Sequence, residues 1–137
     1  PENKEAYAAH IQAGNWKKVP FLLREKGSGT RTMMERFFQD RDIHVESNLE
    51  LATNEAVKQA VMAGLGASLL SNFSMAQELK EGRISLLELP GLPLKADWNL
   101  IWLKQKKHSP AVKAFIRWLS ENRKKVLSKH FPTLETL

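Results

Sequence analysis

The stretch VPFLLREKGSGTRTMMERFF, residues 19–38, contains the strongest fold signals in this 137-residue chain. Its first six residues are a short apolar run, which predicts a β-strand. The glycine-rich segment 27–30 then interrupts regular structure. Four apolar side chains follow at the spacing of one helix face and predict an amphipathic helix: Met33, Met34, Phe37 and Phe38. The stretch therefore reads as strand, turn and helix.

A second strand and helix are predicted immediately downstream. Residues 45–51 have the composition of a strand, and Thr53 and Asn54 are favourable residues for the start of a helix. That helix carries apolar residues on one face and would end at Gly64 in a left-handed conformation. Residues 6–13 are compatible with an additional short helix near the start of the chain.

The pattern continues with two more predicted strands, 67–70 and 84–89, separated by a helix at 74–80. Alternation of strands and helices predicts an α/β fold with a mostly parallel sheet flanked by helices. The segment 90–93, PGLP, is a stiff break and the best candidate for a linker.

Beyond the break, residues 98–103 (WNLIWL) predict a strand whose two tryptophans, Trp98 and Trp102, share a face and belong to the core. A face that stacks nucleic-acid bases is the alternative for this pair. Ser109 followed by Pro110 predicts the start of the last helix, whose apolar stripe is Val112, Phe115, Ile116 and Leu119.

Charge is unevenly distributed along the chain. The formal net charge is +6, but residues 1–94 hold 11 Lys and Arg against 12 Asp and Glu. Residues 95–137 hold 10 against 3, so all the excess lies in the last third. This basic region is either a solvated helix face or a surface that contacts nucleic acid or an acidic partner. The longest uncharged stretch, 59–77, is too polar to span a bilayer, so no membrane association is predicted.

Two turns that join a strand to a helix, 26–31 and 52–55, concentrate polar groups. Each places side-chain oxygens beside the unpaired backbone N–H groups of a helix start, which attract anions. Parallel strands bring both turns to the sheet edge where ligands bind in open α/β folds. The candidate binding residues are Ser28, Gly29, Thr30, Arg31, Thr53 and Asn54. The alternative is that the hydroxyl and amide groups are only helix caps.

The residues give little support to catalysis, a cofactor or a metal. The lysine of the first turn precedes its glycines, unlike a Walker loop, and Thr32 replaces the third glycine of a dinucleotide fingerprint. A nucleotide-dependent enzyme with Glu46 or Glu50 as ribose partner stays a minor alternative. The four histidines are scattered and the chain has no cysteine, so we predict no catalytic residue, no cofactor and no metal ligand.

Several segments in register resemble the effector-binding domain of LysR-type transcriptional regulators, particularly the branch that includes regulators of carbon-fixation genes. The similarity covers roughly residues 19–120. The segments that carry it are 20–25 with 27–31, 53–58 with 63–70, 78–79 with 82–83, 89–91, and 109–112 with Phe115.

The resemblance implies a fold like that of type II periplasmic binding proteins, in which two α/β lobes enclose a cleft. Residues 1–94 would be effector-binding lobe II, residues 95–128 the returning strand and helix of lobe I, and residues 129–137 a tail. The rest of lobe I and the winged helix-turn-helix would be absent from this sequence. By position in the family motif, Ser28, Gly29 and Thr30 match the turn that contacts the effector. Thr53 and Asn54 match the start of the next helix.

The function implied by the resemblance is ligand sensing for transcription, with no enzymatic activity. The expected partner is a small effector bearing a carboxylate, sulfate or phosphate group. DNA would be contacted only through the absent N-terminal domain, and the full-length regulator would be a cytoplasmic homodimer or tetramer. The alternative function is that of a periplasmic type II solute-binding protein of a transport system.

Overall fold

The computed structural model describes residues 3–95 and 99–130. They fall into two compact units, Pro1–Leu92 and Pro93–Leu137. The boundary between the units lies inside the 90–93 segment, where the sequence predicts a linker.

The first unit contains a parallel pair of strands, β1 (Phe21–Arg24) and β2 (Ser47–Leu51). Leu22 pairs with Leu49, and Arg24 pairs with Leu51. Parallel pairing places the last residues of both strands at one edge of the sheet. The turns that follow the two strands therefore begin at the same edge, as the sequence predicts.

Helices connect and flank these strands. The helices of the first unit are α1 (Lys4–Gln12), α2 (Gly29–Gln39), α3 (Asn54–Met62) and α4 (Asn72–Lys80), with one short 3₁₀ turn at Trp16–Lys18. The second unit contains α5 (Pro110–His130). All five helices were expected from the sequence. Gly64, just after α3, has the predicted left-handed backbone with φ 77°.

The core of the first unit forms where α2 and α3 pack on β1. Leu22 and Val57 are almost completely buried, and Ala60 lies beside them. On the α2 side, the rings of Phe21 and Phe38 meet edge to face with centroids 4.9 Å apart. Burial of these apolar faces is what holds both strand-to-helix turns in place.

The strand predictions for 67–70 and 84–89 are wrong. Ala67 makes a single parallel bridge to Phe21, supported by a 2.9 Å bond from its N–H to the carbonyl of Pro20. Within the described residues no ladder continues from it, and none forms along 84–89. Both segments have apolar strand composition, but a strand requires a hydrogen-bonded neighbour along its length.

The prediction of a strand at 98–103 is also wrong for the part that the structure describes. Residues 99–103 form no strand, and Trp98 lies outside the described residues. Trp102 is 54% exposed, so its predicted core position is wrong as well. The start of α5 is as predicted, because the N–H of Val112 bonds to the Ser109 hydroxyl at 3.4 Å.

Candidate functional site

Arg24, the last residue of β1, connects the two predicted turns. Its Nη1 donates a hydrogen bond to the side-chain oxygen of Asn54, and its Nη2 reaches the carbonyl of Ala52 at 3.3 Å. Two further bonds of 2.7 Å join its Nε and Nη2 to the two carboxylate oxygens of Glu25. The pKa of Arg24 is raised, chiefly by this hydrogen bonding to Glu25. Arg24 therefore holds the turn after β1 against the turn after β2.

Arg31 lies in the first turn of α2 and forms a second set of polar contacts at the same edge. Its Nη1 donates to the backbone carbonyl of Arg24 at 3.0 Å and to the carboxylate of Glu50 on β2. Its Nε forms a 2.7 Å ion pair with Glu35, one turn further along α2. The hydrogen bonds that Arg31 donates to Glu35 and, second in size, to Glu50 raise the pKa of Arg31. Both arginines are thus firmly cationic.

The hydroxyl groups of Ser28 and Thr30 are not used by the fold of the described residues. Ser28 has the extended backbone of a residue that precedes a helix, but its side chain makes no capping hydrogen bond. Its carbonyl accepts the N–H of Thr32 at 3.0 Å instead. Thr30 lies inside α2, so it is not a cap, and both residues are half-buried. Within the described chain, neither hydroxyl has a protein hydrogen-bond partner.

The two glycines of the first turn differ in what they contribute. Gly27 has φ 93°, a left-handed conformation that favours glycine over any other residue. Gly29 has ordinary helical geometry, and a Cβ added there would meet nothing within 4 Å. The turn therefore needs glycine at 27 for its shape, whereas position 29 has free space beside its backbone.

Thr53 and Asn54 have different roles at the second turn. The Thr53 hydroxyl accepts the N–H of Ala56 at 3.0 Å, which makes it the N-cap of α3. Its side chain is thus used structurally, as the capping alternative predicts. The side-chain oxygen of Asn54 is held by Arg24. Of the six predicted residues, Arg31 and Asn54 are connected in the structure, because both form a hydrogen bond with Arg24.

The predicted residues lie outside the apolar groove of the first unit. That groove has a volume of about 280 Å³ and is lined mostly by apolar side chains, including Met34, Phe38, Leu70 and Leu87. None of the six predicted residues lines it. The polar edge at 24–31 and 50–54 instead carries arginines held by ion pairs and the hydroxyls of Ser28 and Thr30.

The sequence reading missed Arg24 and the carboxylates that pair with the arginines. The signal was present, because an arginine closes an otherwise apolar strand at the edge where ligands bind. The sequence does not predict that Glu50 pairs with an arginine. In the structure it contacts Arg31.

The described residues hold no cluster of three or more His, Asp and Glu that could bind a metal ion. In the same part of the chain, no helix combines the length and apolar character needed to cross a bilayer.

A parallel strand pair flanked by helices, with polar turns at its carboxyl edge, is the kind of α/β domain that binds ligands at its strand ends, and it agrees with the fold of type II periplasmic binding proteins. A family profile described as "LysR substrate binding domain" matches residues 5–124. The chain belongs to this family.

Known relatives agree with that membership. The chain is 39% identical over 109 residues to a RuBisCO operon transcriptional regulator of Acidithiobacillus ferrooxidans, covering 80% of this chain and 35% of the relative. It is 42% identical over 99 residues to the HTH-type transcriptional regulator CbbR of Rhodospirillum rubrum, covering 72% and 33%. This chain therefore spans about a third of the length of these relatives. RuBisCO operon regulators are among the carbon-fixation regulators that the sequence resembles.

A solved structure is similar as well. The regulatory domain of CcmR from Synechocystis PCC6803, determined in complex with 2-PG, matches with a TM-score of 0.68 and 33% identity. The match covers 77% of this chain and 51% of that chain.

Proposed function

We propose that this chain senses a small anionic metabolite for a transcriptional regulator, and that the metabolite binds at the carboxyl edge of β1 and β2. Ser28 and Thr30 would donate hydroxyl hydrogen bonds, and the first N–H groups of α2 would face the anion. Arg31 would supply the opposite charge and Asn54 the far side of the site. Gly29 leaves room for the ligand to approach.

The observation that carries this proposal is the pair of half-buried residues Ser28 and Thr30, whose hydroxyls have no protein hydrogen-bond partner within the described residues. Arg31, in the same turn, has a side chain that is 13% exposed. A hydroxyl in a helix cap is normally used by the backbone. Here the cap position at Ser28 leaves its hydroxyl for another acceptor. The CcmR regulatory domain in complex with 2-PG supports an anionic ligand.

The domain assignment forms part of the proposal. Residues 1–94 would be lobe II, residues 95–128 the returning strand and helix of lobe I, and residues 129–137 a tail. DNA binding would belong to a part of the regulator outside this sequence, and the whole regulator would be a cytoplasmic homodimer or tetramer without enzymatic activity. The relatives, which are named as transcriptional regulators and of which the aligned segment covers only 35% and 33%, support this arrangement.

Sensing requires that the ligand prefer one arrangement of the regulator over another. A bound metabolite shifts a conformational equilibrium only by the difference in its affinity for the two states. Because Arg24 ties the two turns together, contact with either turn would be transmitted to the other. Binding of the metabolite would thus change the position of α2 relative to α3.

The test is an NMR titration of the isotopically labelled chain with 2-PG, with ionic strength held constant by chloride. This method detects weak binding, which we expect because the chain aligns with only 51% of the CcmR chain. Saturable shifts confined to residues 28–31 and 53–54 would support the proposal. Shifts that match those produced by added chloride, or that occur only along the apolar groove, would refute it.

A further inference from the structure

We propose that Glu50 competes with the effector for Arg31. The Glu50 carboxylate holds Arg31 in the way that an acidic group of the effector would, and the effector replaces Glu50 when it binds. The inference rests on the proposed function, since it concerns how an anion gains access to that site. It assigns Glu50 a role in setting the affinity of the sensor.

Both arginines at the sheet edge are already paired. The ion-pair cluster contains two cations, Arg24 and Arg31, and three carboxylates. Lys26 in the same turn brings the formal net charge of these groups to zero. An acidic group that binds Arg31 must therefore take the place of a carboxylate, because the guanidinium charge is already balanced.

The contacts of the three carboxylates single out Glu50 as the one that leaves. Glu25 engages Arg24 with both oxygens at 2.7 Å, a two-point pairing that is stronger and more specific than a single bond. Glu35 is on the same helix as Arg31, at the favourable spacing of four residues. Glu50 comes from a different element and holds only Nη1, which it shares with the carbonyl of Arg24.

Exposure indicates that Glu50 moves and Arg31 stays. The Glu50 side chain is 50% exposed, whereas that of Arg31 is 13% exposed and held at three points. An exposed side chain changes rotamer within nanoseconds. Once turned outward, the Glu50 carboxylate is solvated by water, so its release costs little. Arg31 then presents Nη1 to the ligand.

This exchange would select for strongly acidic ligands. A neutral polar metabolite cannot replace a carboxylate on a guanidinium without leaving the charge poorly paired. A ligand with a phosphate or carboxylate group restores the pairing. The competitor also weakens the apparent affinity, because the site is open only for the fraction of time that Glu50 is turned away.

The experiment compares the dissociation constant of 2-PG for the wild-type chain, Glu50→Gln and Glu46→Gln, using the NMR titration above. Glu46→Gln removes the same charge from a neighbouring exposed residue that lies outside the ion-pair cluster. We expect Glu50→Gln to bind up to about tenfold more tightly, if Arg31 is open for about a tenth of the time. Glu46→Gln should match the wild type.

Equal or weaker binding by Glu50→Gln, with 2-PG still bound by the wild type, would overturn the inference and leave the proposed function intact. Equal tightening in both variants would show a general charge effect and would also overturn it. No binding by any of the three proteins would refute the proposed function and the inference together. If Glu50→Gln does not fold, the Arg31 Nε–H resonance of the wild type must still shift on addition of 2-PG, and a stationary resonance overturns the inference.

Discussion

Arg24, at the end of β1, donates a hydrogen bond from its Nη1 to the side-chain oxygen of Asn54, the first residue of α3. These residues are 30 positions apart in sequence. Their contact joins the two turns that carry the candidate site. Since Arg24 also binds the Ala52 carbonyl and Glu25, it organises the edge from one central position. We expect energetic coupling between Arg24 and Asn54.

A double-mutant cycle measures this coupling. Arg24→Met keeps most of the side-chain volume and removes the charge, and Asn54→Ala removes the acceptor. If the contact stabilises the fold, the loss of unfolding free energy in the double variant is smaller than the sum of the two single losses. Urea unfolding followed by circular dichroism provides the values. Strict additivity would show that the two turns are not coupled through this pair.

Thr30→Val separates a ligand contact from a structural role. The substitution removes a hydroxyl that has no protein partner in the described chain, so the melting temperature should stay nearly constant. Loss of a hydrogen bond to a charged ligand should weaken 2-PG binding by about 1.5–3 kcal/mol. NMR titration and thermal unfolding give both quantities. A collapse in stability with unchanged affinity would make Thr30 purely structural.

Thr53→Ala should give the opposite pattern. The Thr53 hydroxyl caps α3 through the N–H of Ala56, and loss of such a cap costs about 1 kcal/mol of stability. The affinity for 2-PG should change little, because the hydroxyl is already used by the backbone. A large loss of affinity for 2-PG at unchanged stability would show instead that Thr53 contacts the ligand.

Gly66→Ala and Gly29→Ala compare a glycine that lies against another part of the backbone with a glycine that does not. A Cβ at Gly66 would lie 2.2 Å from the carbonyl oxygen of Pro20, whereas one at Gly29 would meet nothing within 4 Å. We expect Gly66→Ala to cost about 1–3 kcal/mol of stability, the usual range for forced overpacking. Gly29→Ala should fold normally and weaken 2-PG binding by filling the approach to α2. Thermal unfolding of both variants tests this, and equal melting temperatures would contradict it.

The pair Lys58 and Glu78 predicts acid sensitivity. The two residues are buried and form a 2.7 Å ion pair that joins α3 to α4. Hydrogen bonding to Lys58 lowers the pKa of Glu78. A carboxyl with a lowered folded-state pKa stabilises the protein above its unfolded pKa of about 4.3, and this stabilisation is lost as the pH falls through the folded pKa.

Glu78→Gln should therefore be less stable than the wild type at pH 7, and its stability should fall less steeply between about pH 5 and pH 3. Unfolding free energies measured across that range provide the test. Glu88→Gln is the control, because Glu88 is exposed and forms no ion pair within the described residues. A Glu78→Gln protein with the wild-type acid profile would contradict the assignment.

The sequence predicted well those elements whose signals are local. The apolar stripe with Phe37 and Phe38 defines α2, Thr53 marks the start of α3, and Gly64 its end; all of these depend on neighbouring residues along the chain. The strands at 67–70 and 84–89 failed because strand formation depends on a partner elsewhere in space. Composition alone could not reveal whether that partner was present.

The candidate site was predictable in position but not in its contacts. The turn chemistry pointed to Ser28 and Thr30 and to the sheet edge they occupy. The arrangement of Arg24 between Glu25 and Asn54 depends on the register of β1 against β2, which shifts between Phe21 and Leu22. A register irregularity of this kind leaves no reliable mark in a single sequence.

The most direct test of an anion site at this edge is a crystal structure of the chain with 2-PG. We expect electron density for an acidic group of 2-PG within hydrogen-bond distance of the Ser28 and Thr30 hydroxyls and of the Arg31 guanidinium, with the Glu50 side chain turned away. Density for 2-PG in the apolar groove instead, with Arg31 still held by Glu50, would contradict it.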